Sequence, residues 1–137
     1  MLVTMISKSD LEQFFHDEFA QADFSILSVS EEQVIIKRII LEQHTRPGNT
    51  VSGPVLMEVA DSALYVAVLY QSHLATMAVT SNLNINFLKK PGASQNIIAE
   101  CRVLKLGRKN AYGEVMIYSE LSRDLVAHAT GTYVIPK

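Results

Sequence analysis

From Val55 to Leu69 the chain is almost wholly apolar, and the run opens on Ser52-Gly53-Pro54. A stretch of that length and character reads as a helix buried on nearly every side, so the rest of the chain must supply walls for it. Pro54 suits the first turn of such a helix, where a missing N–H costs nothing. Asp61 breaks the apolar pattern. An ionised carboxylate among apolar neighbours is costly unless it is paired, hydrogen-bonded or put to chemical use. The start of the same helix offers unbonded backbone N–H groups and a positive dipole end, which suit a developing oxyanion. A carboxylate combined with a helix N-terminus can hydrolyse an acyl compound without a Ser–His pair.

The walls are legible on either side. Ser9-Asp10 can cap a first helix carrying Leu11, Phe14, Phe15, Glu18 and Phe19 at helical spacing. Residues 23–29 and 33–41 read as strands joined at Ser30-Glu31-Glu32. A loop around Pro47-Gly48-Asn49 then leads into the apolar helix. Residues 76–88 alternate Leu83, Ile85 and Phe87 with Asn82, Asn84 and Asn86, the period of a strand. Three further strands are expected at 96–106, 111–121 and 125–135, joined by hairpin-length turns. One long helix beside an antiparallel sheet is the economical packing, an α+β class in a single domain spanning 1–137.

Composition narrows the function. At 137 residues the chain can bury about two-thirds of its unfolded surface. Its 48% hydrophobic content is slightly high for that size, as when a second subunit covers part of the surface. A net charge of −2 gives no electrostatic case for nucleic acid. The single cysteine, Cys101, excludes an internal disulfide, and no Cys or His spacing suggests a metal site. No apolar run is expected to cross a membrane and no signal peptide is read at the start, so the default location is cytoplasmic.

The order of elements resembles the hotdog fold, an antiparallel sheet wrapped around one long central helix. More narrowly, three stretches resemble the PaaI-type acyl-CoA thioesterases of the 4-hydroxybenzoyl-CoA thioesterase superfamily: His44 to Asp61, Asn82 to Gly92, and Leu125 to Tyr133. That family carries His-Gly-Gly at the helix start and an acid eight residues after the first Gly, a spacing that Gly53 and Asp61 keep. The resemblance implies that Asp61 activates water or attacks the thioester itself, and that the Gly53 N–H polarises the carbonyl. Thr80 matches a hydroxyl that orients water in some relatives. It also implies a homodimer or dimer of dimers with the site at a subunit interface, acyl-CoA as the substrate, and no cofactor beyond the coenzyme A it carries.

The chain departs from the pattern at three positions. Arg46 stands where relatives often have Asn, Ser52 replaces the His, and Pro54 replaces the second Gly and has no N–H to give. The oxyanion site would rest on Gly53, with Arg46 or Asn49 as helpers. Lys89, Lys90 and Arg108 sit in turns and are candidates for coenzyme A phosphates. Two other readings remain open. One is a non-catalytic acyl-CoA-binding module. The other is a hotdog β-hydroxyacyl dehydratase using His44 and Glu58, which lie fourteen residues apart.

Overall fold

The computed structural model describes residues 6–136. Helix α1, Lys8–Glu18, is followed by strands β1, Ser25–Val29, and β2, Val34–Arg38. A short 3-10 turn, Glu42–His44, and a two-stranded hairpin, β3 (Thr45–Arg46) with β4 (Thr50–Val51), lead into helix α2, Gly53–Gln71. Strands β5 (Val79–Phe87), β6 (Ile97–Leu106), β7 (Asn110–Ser119) and β8 (Leu125–Val134) complete the chain. The main sheet runs β1-β2-β6-β7-β8-β5, antiparallel at every pair, and α2 packs across β2, β6, β7, β8 and β5. This is the expected hotdog arrangement.

The first helix starts two residues earlier than its sequence suggests. Ser7 is the N-cap, its hydroxyl accepting from the Asp10 N–H while the Asp10 carboxylate accepts from the Ser7 N–H. That reciprocal pair satisfies two otherwise unbonded donors, and Ser9 has no comparable partner among the described residues. Leu11 and Phe15, one turn apart, bury the inner face.

A pair of glycines seats α2 on the sheet. Gly113 of β7 and Gly131 of β8 are cross-strand partners beneath Leu64. A Cβ on Gly113 would lie 2.7 Å from Leu64 Cδ2 and 3.0 Å from the Arg102 carbonyl oxygen. One on Gly131 would lie 2.6 Å from Leu64 Cδ1 and 3.1 Å from the Asn82 carbonyl oxygen. No side chain fits between helix and sheet there, which fixes the helix height above the strands.

Burial of α2 is less complete than its composition suggests. Val55, Leu56, Val59, Ala60, Ala63 and Leu64 are buried, but Pro54, Met57 and Glu58 are exposed, and Asp61, Ser62 and Tyr65 are half-buried. Those six residues share one face at helical spacing, an open stripe along the first half of the helix. By length and mean hydropathy α2 would also suit a membrane span, yet its apolar face is taken up by the sheet of its own chain.

The sheet also ends openly. Among the described residues strand β5 pairs only with β8, so its other edge presents backbone N–H and C=O groups, flanked by exposed Met77, Val79, Phe87 and Leu88.

Candidate active site

Asp61 projects from the third turn of α2 toward the end of the sheet where β5 begins and β8 ends. Two hydroxyls meet it there. Thr80 Oγ1 donates to Asp61 Oδ1 at 2.6 Å, and the Tyr133 hydroxyl donates to the same oxygen at 2.8 Å. Tyr133 also lies 3.1 Å from the Asp61 backbone carbonyl. Thr80 and Tyr133 are register partners on adjacent strands, so one rung of the sheet supplies both donors. A bulge between Thr80 and Asn82 makes this possible. The inserted residue resets the alternation, letting Thr80 face α2 although Asn82, Asn84 and Asn86 face outward.

The donors also fix which oxygen is available. With both hydroxyls on Oδ1, Oδ2 receives no hydrogen bond from the described residues. Burial holds the Tyr133 phenol above the ordinary tyrosine value, and the adjacent Asp61 charge pushes the same way. Tyr133 therefore stays protonated and keeps donating. Its ring stacks on Tyr65 at 5.9 Å, and the Tyr65 hydroxyl donates to the Thr76 carbonyl at 2.8 Å.

Asp61 stands at the head of a cleft of about 490 Å³. Its polar end comprises Asp61, Thr80, Tyr133, Ser62 and Glu58; its apolar walls are Phe15, Phe19, Phe24, Tyr65, Ala78 and Val79. Glu58 is turned aside by a short ion pair with the buried guanidinium of Arg38, at the end of β2.

The helix start lies in a different cleft, of about 690 Å³, lined by Arg46, Gly53, Phe87, Lys89, Lys90 and neighbours. Ser52 is the N-cap by its backbone alone, since its side chain makes no capping bond. Its N–H donates to the His44 carbonyl at 2.9 Å, while Gly53, the first helical residue, has an N–H with no acceptor among the described residues. A Cβ on Gly53 would meet the Phe87 ring at 3.5 Å, so this donor sits beside the far end of β5. Eight residues of helix separate Gly53 from Asp61, about 12 Å along the axis. An attacking atom must lie within about 3–3.5 Å of its target. Asp61 and Gly53 thus stand apart, each lining its own cleft.

The other candidates divide along the same line. Arg46 lines the Gly53 cleft, whereas Asn49 is an exposed turn residue at φ 56° whose carbonyl accepts from the Ala93 N–H. Lys89 pairs with Asp124 at 2.9 Å, leaving Arg46 and Lys90 as the cleft cations without an ion pair among the described residues. Arg108 is elsewhere, in the β6–β7 turn, near the end of β8 opposite to Lys89 and Lys90. His44 is buried, and its Nδ1 accepts from the Leu41 N–H at 2.9 Å. With Glu58 held by Arg38, the dehydratase pair of His44 and Glu58 is not assembled within the chain.

Sequence spacing places Phe15 and Phe19 on the first helix but does not make them, with Phe24, the wall of a cleft, and it does not single out Tyr133. A signal for Tyr133 existed. Along β8 the inward positions are Ala127, Ala129 and Gly131, all small, and Tyr133 is the first large side chain on that face.

The sequence profile of the thioesterase superfamily matches residues 48–125, a span that includes Gly53, Asp61 and Thr80. Among solved structures, the chain is similar to a protein of Silicibacter sp. TM1040 named provisionally as a thioesterase. Their sequences are 34% identical, the TM-score is 0.87, and the match covers 98% of this chain and 95% of the other. The PaaI protein of Escherichia coli, from the phenylacetic acid degradation operon, shares the fold at 20% identity and TM-score 0.83, over 95% and 94% of the two chains. A Streptococcus mutans protein solved with bound acetyl-CoA shares it at 21% identity and TM-score 0.73, over 83% and 89%.

Proposed function

The chain belongs to the thioesterase superfamily, and from that premise we propose that it hydrolyses acyl-CoA thioesters at a site completed by a second copy of itself. The observation that carries this reading is the Asp61 carboxylate, held on one oxygen by two hydroxyls at the head of an apolar cleft. In the proposed step Asp61 Oδ2 takes a proton from water as the water oxygen attacks the thioester carbonyl carbon. The carbonyl oxygen, now negative, is received by the Gly53 N–H and the positive end of α2, with Arg46 nearby. The carbon–sulfur bond then breaks and the coenzyme A thiolate leaves with the bonding electrons. Thr80 and Tyr133 act by keeping Asp61 oriented. The step calls on no metal or redox group.

Support for a shared site comes from the free edge of β5. Thr80, which holds Asp61, is near the start of that strand, and Phe87, which abuts Gly53, is at its end. Two copies pairing antiparallel, edge to edge, would lay the start of one β5 beside the end of the other. The Asp61 of each chain would then face the Gly53 of its partner. The same operation carries Arg108, at the β5-start end, toward the partner's cleft of Arg46 and Lys90, which suits coenzyme A phosphates. Acetyl-CoA bound to the Streptococcus mutans protein of the same fold favours that ligand class.

The test is thiol release from a panel of acyl-CoAs by wild type and by Asp61→Asn. Turnover that collapses in the variant is the expected result. Equal turnover by both folded proteins would contradict the proposal. Acyl-CoA that raises the wild-type melting temperature without being hydrolysed would point to a binding module instead.

A further inference from the structure

The Asp61 cleft has a neighbour. Beyond its aromatic wall a second cleft, of about 320 Å³, lies between α1 and β1. Phe15, Ala22 and Phe24 line both, so the two spaces share one partition. Its rings are packed against one another. The Phe15 and Phe24 rings meet edge to face at 5.0 Å, and Phe15 also stands edge-on to Tyr65 at 5.8 Å. Phe15 is buried and held by α1, whose Leu11 is fully buried in the core. Phe24, just before β1, is half-buried and closes the remaining gap. The far cleft has an apolar floor of Ile26, Ala22 and the two rings, under a polar rim of Glu12, His16 and Ser25.

From a carbonyl attacked at Asp61, the aromatic side of the cleft runs along Tyr65 and Phe19, past Gln21, toward Phe15 and Phe24, with Ala78 and Val79 forming its other apolar wall. Resting on the proposed thioester hydrolysis, we infer that the Phe15–Phe24 partition is the floor of the acyl site. It limits this chain to acyl groups short enough to end at the two rings. A longer chain meets packed aromatic carbon, and bending it back toward the mouth exposes methylenes that burial would have removed from water. Space for more chain lies directly behind the partition. Ala22, small and shared by both clefts, is the position where added bulk shortens the site.

The experiment measures kcat/KM across a series of straight-chain acyl-CoAs for wild type, Phe24→Ala, Phe24→Leu and Ala22→Leu. Wild type rises with chain length and then falls. Phe24→Ala moves the fall to longer chains, because the cleft behind becomes continuous with the site. Each methylene newly accommodated is worth about fourfold, so two or three added carbons change the long-to-short ratio roughly 15- to 60-fold. Ala22→Leu moves the fall the other way, and Phe24→Leu lies between wild type and Phe24→Ala. The same series, read as the rise in melting temperature of Asp61→Asn protein and of its Asp61→Asn/Phe24→Ala double variant, locates the limit without turnover.

If wild type turns over and neither substitution shifts the chain-length profile, the partition is not the floor. If wild type hydrolyses nothing but the thermal shifts still move with Phe24→Ala, the hydrolysis proposal fails and the partition stands. If the thermal shifts ignore Phe24 as well, both fail.

Discussion

The two clefts along α2 are built to different degrees of completion. Around Asp61 a single chain supplies a carboxylate, two hydroxyl donors and an aromatic wall. Around Gly53 it supplies an unbonded N–H, an exposed phenylalanine and cations of which Lys89 is paired with Asp124, and no acid or histidine among the described residues lines the cleft. The first is walled by α1 and the sheet rung of Thr80 and Tyr133, the second by Phe87 at the far end of β5, and both open to solvent. The difference teaches that the proposed base and its apolar site are folded in one chain, while the proposed oxyanion donor is presented outward. On the proposed reading it is offered to a second copy of the chain.

The largest expected effect is at the finished cleft. Asp61→Asn keeps the shape and both hydroxyl partners but removes the base, and thiol release should fall by roughly 10²–10⁴-fold. At the unfinished cleft, Gly53→Pro removes the N–H at the first helical position, where the proline ring is tolerated. Ser52, at φ −72° and ψ 152°, already has the extended backbone that a following proline requires. Turnover should fall about 10²–10³-fold with Tm nearly unchanged. Loss of activity accompanied by unfolding would remove Gly53 from the comparison.

Tyr133→Phe keeps the stack on Tyr65 and deletes one of the two donors to Oδ1. A hydrogen bond to a charged group is worth about 1.5–3 kcal/mol, so kcat should fall roughly 10- to 100-fold with KM little changed. The Thr80→Val/Tyr133→Phe double variant should cost more than either alone, since the remaining donor no longer holds the carboxylate. A Tyr133→Phe enzyme with full kcat would show that Thr80 alone orients the acid.

The seat beneath both clefts is tested by Gly131→Ala. Its methyl would sit 2.6 Å from Leu64 Cδ1 and 3.1 Å from a backbone oxygen, so helix or strand must move. Overpacking of this kind typically costs about 1–3 kcal/mol, readable as a lowered denaturation midpoint. The smallest effect concerns Cys101. Burial pushes its thiol up to about 12, with Glu114 adding in the same direction. The folded protein should thus be inert to thiol reagents at pH 8 and react only on unfolding, leaving thiol-release assays free of background.

Much of the architecture is legible in the sequence because it follows from periodicity. The apolar run from Val55, the Asn-alternating strand and the hairpin-length turns fall where the structure has α2, β5 and the β6–β8 meander. Gly53 and Asp61 are legible because they share one helix and their spacing is local. Tyr133 is not, for it reaches Asp61 across 72 residues and only through the register of β8 with β5. Thr80 is legible by its position alone, for the bulge that aims it has no sequence mark. The open stripe of α2 reads as buried in the sequence because apolar composition reports that a helix face needs covering and leaves unstated what covers it.

The central claim is that each site takes its acid from one copy and its oxyanion donor from another. Asp61→Asn and Gly53→Pro proteins, each inactive alone, should be unfolded together, refolded as a mixture and assayed for thiol release. A mixed dimer holds one site with both defects and one with neither, so random pairing should restore about a quarter of wild-type turnover. A mixture no more active than its parents, in material shown to contain mixed dimers, would contradict the account.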